Sequence, residues 1–287
     1  MDLKRIKLVE CPRDAMQGLH DFIPTQQKIS YINQLLKVGF DTLDFGSFVS
    51  PKAIPQLKDT AEVIEGLDLT DTKTKLLSII ANERGAQTAM NFDAIDYLGY
   101  PFSISETFQK RNTNSTIEES ITRVENIQNL VVKKNKKLLI YISMGFGNPY
   151  GDLYHEEIVA HWIEKLSQLD IVVFALSDTI GVSEPSIINK LFTTLIAEYP
   201  NLEIGAHLHT TPDTWKEKVS AAYKSGCRRF DGAIAGFGGC PMAEDELTGN
   251  MATENMISYF QEEKIDLGIN LDEFKHARMQ ANDVFPL

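Results

Sequence analysis

The stretch from 137 to 178, KLLIYISMGFGNPYGDLYHEEIVAHWIEKLSQLDIVVFALSD, holds the alternation on which the fold depends. Its two ends, KLLIYISM (137–144) and IVVFALSD (171–178), are short and rich in Ile, Val and Leu, as expected of strands covered on both faces. Between them, YHEEIVAHWIEKLSQL (154–169) repeats its apolar residues at three- and four-residue steps, the period of an amphipathic helix. A strand, a crossover helix and a second strand make a parallel pair.

The same alternation extends in both directions. Upstream lie IKLVEC (6–11), TLDFGS (42–47), KLLSIIA (75–81) and AIDYLGYPF (94–102); downstream lie EIGAHLH (203–209) and RFDGAIA (229–235). The intervening segments TQQKISYINQLLKVG, TIEESITRVENIQNLVVKKN and PDTWKEKVSAAYKSG are amphipathic, the last ending at Gly226, a residue suited to a helix C-cap. Eight strand–helix units imply an α/β chain closed as a (β/α)8 TIM barrel. A long loop follows the eighth strand, and LDEFKHARMQANDVF (271–285) reads as a C-terminal closing helix. We expect one catalytic barrel over 1–287, because no linker, repeat or low-complexity segment divides it. A doubly wound open sheet is the competing fold, but no GxGxxG turn follows the first strand.

The composition narrows the function. A formal charge of -12 argues against nucleic acid, which is held by dense Lys and Arg patches. No apolar run approaches the roughly 18 residues of a membrane helix, and the N-terminus has no signal-peptide apolar core, so the expectation is a cytosolic protein without a membrane partner. Cys11, Cys227 and Cys240 are too few and too far apart for a disulfide framework or a zinc finger.

In a barrel of this kind the chemistry sits at the C-terminal ends of the strands and in the loops after them. There the sequence places Arg13 and Asp14, Asp44, Asp178, His207 and His209, and then the loop GFGGCPMAEDELTGN with Cys240 and Asn250. Residues two apart on a strand share a face, so His207 and His209 point together toward the mouth. Asp14 leaves the first strand nearby. Two imidazoles, one carboxylate and open positions suit Mg2+ or Mn2+ polarising a substrate oxygen, rather than a closed zinc site. Cys240, flanked by glycines that permit close backbone approach, is a candidate acid/base thiol.

These segments resemble a known family, the metal-dependent 3-hydroxy-3-methylglutaryl-CoA lyases, within a wider group of lyase and Claisen-condensation barrels. The resemblance runs through VECPRDAMQG, GFDTLDFGSFVSPKAIPQ, SETFQKRNTNSTIEES, LSDTIGV, AHLHTT and AGFGGCPMAEDELTGNMATENMISYF, nearly the whole chain. It implies that Asp14, His207, His209 and Asn250 are metal ligands, the last through its amide oxygen. Arg13 would stabilise the enolate oxygen, Cys240 would be the loop acid/base, His207 would shuttle a proton, and Asp178 would stand beside the substrate. The reaction implied is metal-assisted cleavage of an acyl-CoA thioester to acetyl-CoA and acetoacetate, in a homodimer.

Three features depart from the family pattern: Asp44 stands in place of a Glu, Thr210 follows the second histidine in place of an Asp, and SMGFGNPYGD lacks the cysteines of some relatives. Lys110 and Arg111, with Lys52, are candidates for the CoA phosphates. The rival readings are a related aldolase or Claisen synthase acting on another acyl-CoA or hydroxy acid, and a barrel that binds without turnover. The intact Arg13, Asp14, His207, His209, Cys240 and Asn250 weigh against the last.

Overall fold

The computed structural model describes residues 5–238 and 248–285. Seven parallel strands, β1 (Lys7–Glu10), β2 (Thr42–Ser47), β3 (Lys75–Ile79), β4 (Ile95–Ser103), β5 (Lys137–Ser143), β6 (Val173–Ser177) and β7 (Glu203–His207), follow one another around a closed barrel. A two-residue strand, β8 (His209–Thr210), lies beyond β7, and β9 (Arg229–Gly232) completes the ring between β7 and β1. The expected (β/α)8 barrel is therefore the fold observed.

Two expected strands end early, for related reasons. The stretch 203–209 splits at Leu208: Glu203–His207 stays in the barrel, whereas His209–Thr210 turns out to pair antiparallel with β10 (Gly249–Asn250). The stretch 229–235 stops at Gly232 and tightens into a single 3-10 turn at Ile234–Gly236. At both places the chain leaves the ladder to build the mouth.

The crossovers follow the sequence closely. Thr116 and Glu119 form a reciprocal capping box at the start of the helix Ile117–Val132. The helix Thr25–Val38 stops at Gly39, whose φ of +81° carries the left-handed turn that a side chain would oppose. Leu35, Ile127, Ile163 and Leu195 are fully buried on these and neighbouring helices, each contributing on the order of 2 kcal/mol by leaving water. They form one core with the outward faces of the strands.

A second, smaller apolar cluster occupies the barrel axis and includes Leu77, Tyr97, Leu139, Tyr141 and Val173. The axis also takes in buried charge. Arg229 packs over the Tyr97 ring at 5.8 Å, lies 3.6 Å from Asp231, and pairs with Glu203, which also holds Lys7. The closing helix Leu271–Val284 lies against Thr25–Val38, where Phe274 meets Phe40 and Phe285 meets Tyr31 edge-on. Phe285 also packs on Phe237, at the exit of the loop after β9, with ring centroids 4.9 Å apart.

Candidate active site

The chain leaves β1 through Cys11 into a short helix, Pro12–Gln17, whose first turn holds Arg13 and Asp14, both buried. Arg13 Nε donates to Asp44 Oδ2 at 3.0 Å, and Arg13 Nη1 donates to Asp14 Oδ1 and Gln17 Oε1, each at 2.8 Å. Asp44 therefore reaches the arginine despite being one methylene shorter than a Glu. Its other oxygen, Oδ1, has no hydrogen-bond partner among the described residues. Burial is the main reason the Asp44 carboxyl is pushed up to about 6, against the pull of Arg13.

Asp14 divides its oxygens between two tasks. Oδ1 accepts from Arg13 and from Gln17 Nε2, the latter at 2.7 Å. Oδ2 faces Asn250 Nδ2 at 2.9 Å and His207 Nε2 at 3.7 Å. Burial opposes its ionisation, but Arg13, His207 and His209 outweigh burial and hold Asp14 below the ordinary carboxylate range. His209 is pushed down to about 4 by burial and by the neighbouring His207, which keeps its ring neutral with a lone pair free. His207 behaves differently. Burial lowers its affinity for a proton, yet Asp231, 3.3 Å from Nδ1, overcomes this and raises it.

Asp14, His207 and His209 each offer a ligand atom, and these atoms lie within 4.8 Å of one another. Cys11, His207 and Asp231 form a second such group. A thiol must ionise to bind a metal, and burial together with Asp231, Asp44 and Asp14 holds the Cys11 thiol well above its ordinary pKa. The first group suits a divalent cation better. Its carboxylate is ionised, one imidazole is neutral, and Asp231 orients the other from behind.

Arg13, Asp14, His207 and His209 line one wall of a cavity of about 430 Å³; Val49, Ile54 and Phe108 are among its apolar lining. Arg111 also lines it, its guanidinium 4.7 Å from the Tyr150 ring. Lys110 does not: it is exposed and pairs with Glu106 at 3.0 Å.

Two of the expected residues are engaged by other protein groups. Asp178 is not among the cavity-lining residues, because its carboxylate is taken by Ser183 N (3.0 Å) and Lys218 Nζ (2.9 Å). Asn250 joins the cluster, but it presents its amide nitrogen. Two acceptors, Asp14 Oδ2 and Phe237 O, each at 2.9 Å, select that end of the side chain, and ligation through the oxygen requires the amide to turn over. Cys240 lies outside the described residues.

Sequence reasoning missed Asp231, Gln17, Lys218 and Tyr141. The signal for Asp231 is a carboxylate inside the strand segment RFDG, and its meaning depends on the register that sets it opposite His207. Tyr141 packs edge-on against His207 with centroids 5.4 Å apart. Burial, reinforced by Asp231 and Asp44, keeps its hydroxyl protonated, and no partner satisfies that hydroxyl among the described residues.

The HMGL-like family model matches residues 5–280. Hydroxymethylglutaryl-CoA lyase YngG of Bacillus subtilis is 32% identical over 96% of this chain and 91% of its own length. The human mitochondrial hydroxymethylglutaryl-CoA lyase is 31% identical, covering 96% and 84%. Among solved structures, an HMG-CoA lyase from Acinetobacter baumannii in complex with coenzyme A and 3-methylmalate superposes with a TM-score of 0.91 at 30% identity, over 99% of this chain and 92% of that one.

Proposed function

The chain belongs to the HMGL-like family, and from that premise we propose that it cleaves 3-hydroxy-3-methylglutaryl-CoA to acetyl-CoA and acetoacetate. The observation that carries this reading is the Asp14–His207–His209 group beside a buried, immobilised Arg13 at one wall of the cavity. Cleavage breaks the C2–C3 bond of a tertiary β-hydroxy thioester. The C3 hydroxyl loses its proton as the C3 carbonyl forms, and the bonding electrons pass to C2 as a thioester enolate.

Arg13 is built for the enolate. Asp44, Asp14 and Gln17 take four of its five N–H donors and hold the guanidinium charged and oriented, so its positive charge and its remaining Nη2 proton are fixed before the thioester oxygen becomes negative, and reorganisation costs little at the transition state. Asp14, His207 and His209 would hold a divalent cation, Mg2+ or Mn2+, with Asn250 joining through its oxygen after an amide turn. Bound there, the cation supplies positive charge that lowers the pKa of the substrate hydroxyl. Asp231 and Gln17 fix the ligands: one holds the His207 ring, and the other occupies the Asp14 oxygen that faces away from the histidines.

Cys240 is assigned the proton delivered to C2 of the enolate, a role supported by its position in the segment between Gly238 and Gly249, both of which border the ligand group. His207, lining the cavity, is retained as a proton shuttle. Arg111 is retained as a donor to the CoA phosphates, supported by its place in the cavity lining; Lys110, turned toward Glu106, has no such support. The proposal extends to one catalytic barrel over 1–287, supported by the closed strand order, and to a cytosolic homodimer, for which sedimentation tests the dimer.

The deciding experiment strips the protein of metal and measures acetoacetate from 3-hydroxy-3-methylglutaryl-CoA with and without Mg2+ or Mn2+. Product that depends on the added ion is expected. Folded protein that binds the ion but forms no acetoacetate would overturn the assignment.

A further inference from the structure

At the end of β7 and just beyond it the backbone carries both histidines of the ligand group, and three successive carbonyls there are tied to three different parts of the chain. His207 O accepts from Asp178 N at 2.9 Å, Leu208 O accepts from Met251 N at 3.1 Å, and His209 O accepts from Lys218 Nζ at 2.9 Å. Of these three bonds, only the last comes from a side chain. Lys218 is 3% exposed and donates to Asp178 Oδ2 at 2.9 Å and Gly181 O at 3.0 Å as well, so all three ammonium protons are used. Asp178 is in turn gripped by both the backbone and the hydroxyl of Ser183.

Burying an ammonium–carboxylate pair is expensive, and a lysine placed to stabilise its own helix would reach for solvent instead. This one joins the loop after β6 to the carbonyl of His209, two residues past the point where the parallel ladder ends. Thr210, next in sequence, brings no carboxylate to that position. We propose that Lys218 is a positioning residue for His209. By holding His209 O against the Asp178 loop, it fixes the direction of the imidazole and so sets the affinity of the Asp14–His207–His209 group for a divalent cation. The inference rests on the reading of His209 as a ligand.

The test is titration of metal-free protein with Mn2+, without substrate, followed by the paramagnetic resonance signal of the free ion. Wild type, Lys218→Met, Lys218→Gln and Lys28→Met are compared, each with its thermal melt. Lys28 is an internal control: it is buried, pairs with Asp59 at 2.7 Å, and does not line the cavity. Lys218→Met is expected to weaken Mn2+ binding about 10-fold or more, the scale on which groups behind a ligand act. Lys218→Gln, which keeps a donor, should fall between it and wild type. Lys28→Met should melt earlier and bind as wild type does.

Wild-type affinity in folded Lys218→Met overturns the proposal, as does equal weakening in Lys28→Met. If Lys218→Met does not fold, wild-type affinity in Lys218→Gln overturns it. A wild-type protein that binds no Mn2+ removes the metal reading itself and this inference with it.

Discussion

Asp231 stands directly across the β7–β9 ladder from His207, with its Oδ2 3.3 Å from His207 Nδ1. The pairing leaves Nε2 directed at Asp14, 3.7 Å away, so the ring orientation is settled from inside the barrel before any ligand arrives. Asp231→Ala should therefore weaken divalent-metal binding by about 10- to 100-fold, with Asp231→Asn losing less. Calorimetric titration with Mn2+ checks this.

Arg13 is oriented by carboxylates on two separate elements, and its proposed task arises only as the thioester oxygen gains charge. Arg13→Met should lower kcat by about 10²- to 10³-fold while KM changes little. Steady-state kinetics with saturating metal decide it; a rise in KM at unchanged kcat would mean that Arg13 acts in binding instead.

Gly238 approaches the ligand group more closely than a side chain permits. Its φ is +90°, and a Cβ there would lie 2.7 Å from Asp14 O and 2.8 Å from Asn250 Nδ2. Gly238→Ala should displace one or both and lower metal affinity without a comparable loss of thermal stability. Paired melting and Mn2+ titration curves separate the two effects.

The frame was legible because each strand and helix is encoded locally: an apolar run of strand length, or an apolar face repeating at helical steps. Arg13, Asp14, His207 and His209 were legible too, since the fold directs attention to strand ends. What remained hidden depends on distance in sequence. Asp231 matters through a register 24 positions away from His207, and Lys218 through the carbonyl of a residue 9 positions back. Asp178 was legible as a strand-end carboxylate, but its partners were not, because from sequence alone a carboxylate facing the cavity looks the same as one that grips a lysine.

Glu10 supplies a prediction about pH. It is 1% exposed, accepts from Ile234 N and the Thr253 hydroxyl, and burial raises its carboxyl from 4.5 to about 8. The folded state then holds a proton that the unfolded state releases, so this contribution is complete below pH 4.5 and disappears as the pH rises toward 8. The amount at stake is on the order of 5 kcal/mol. Denaturant melts should show stability falling across this window, and Glu10→Gln should flatten the fall. Asp44, raised to about 6, adds a smaller change of the same sign.

The two-residue ladder that pairs His209 with Asn250 has a mechanical meaning. The segment carrying Cys240 departs at Gly238, against the backbone of Asp14, and returns at Gly249 and Asn250, against His209 and Thr210. Both of its anchors are therefore residues of the ligand group or their immediate neighbours. Linkage is reciprocal: if drawing the ligands together favours one arrangement of those anchors, holding the anchors in that arrangement tightens the grip on the ion by the same factor. A change at Gly238 or at Gly249–Asn250 therefore acts on Asp14 and His209 through the backbone, and a substitution at either end is expected to register first as a change in divalent-cation binding.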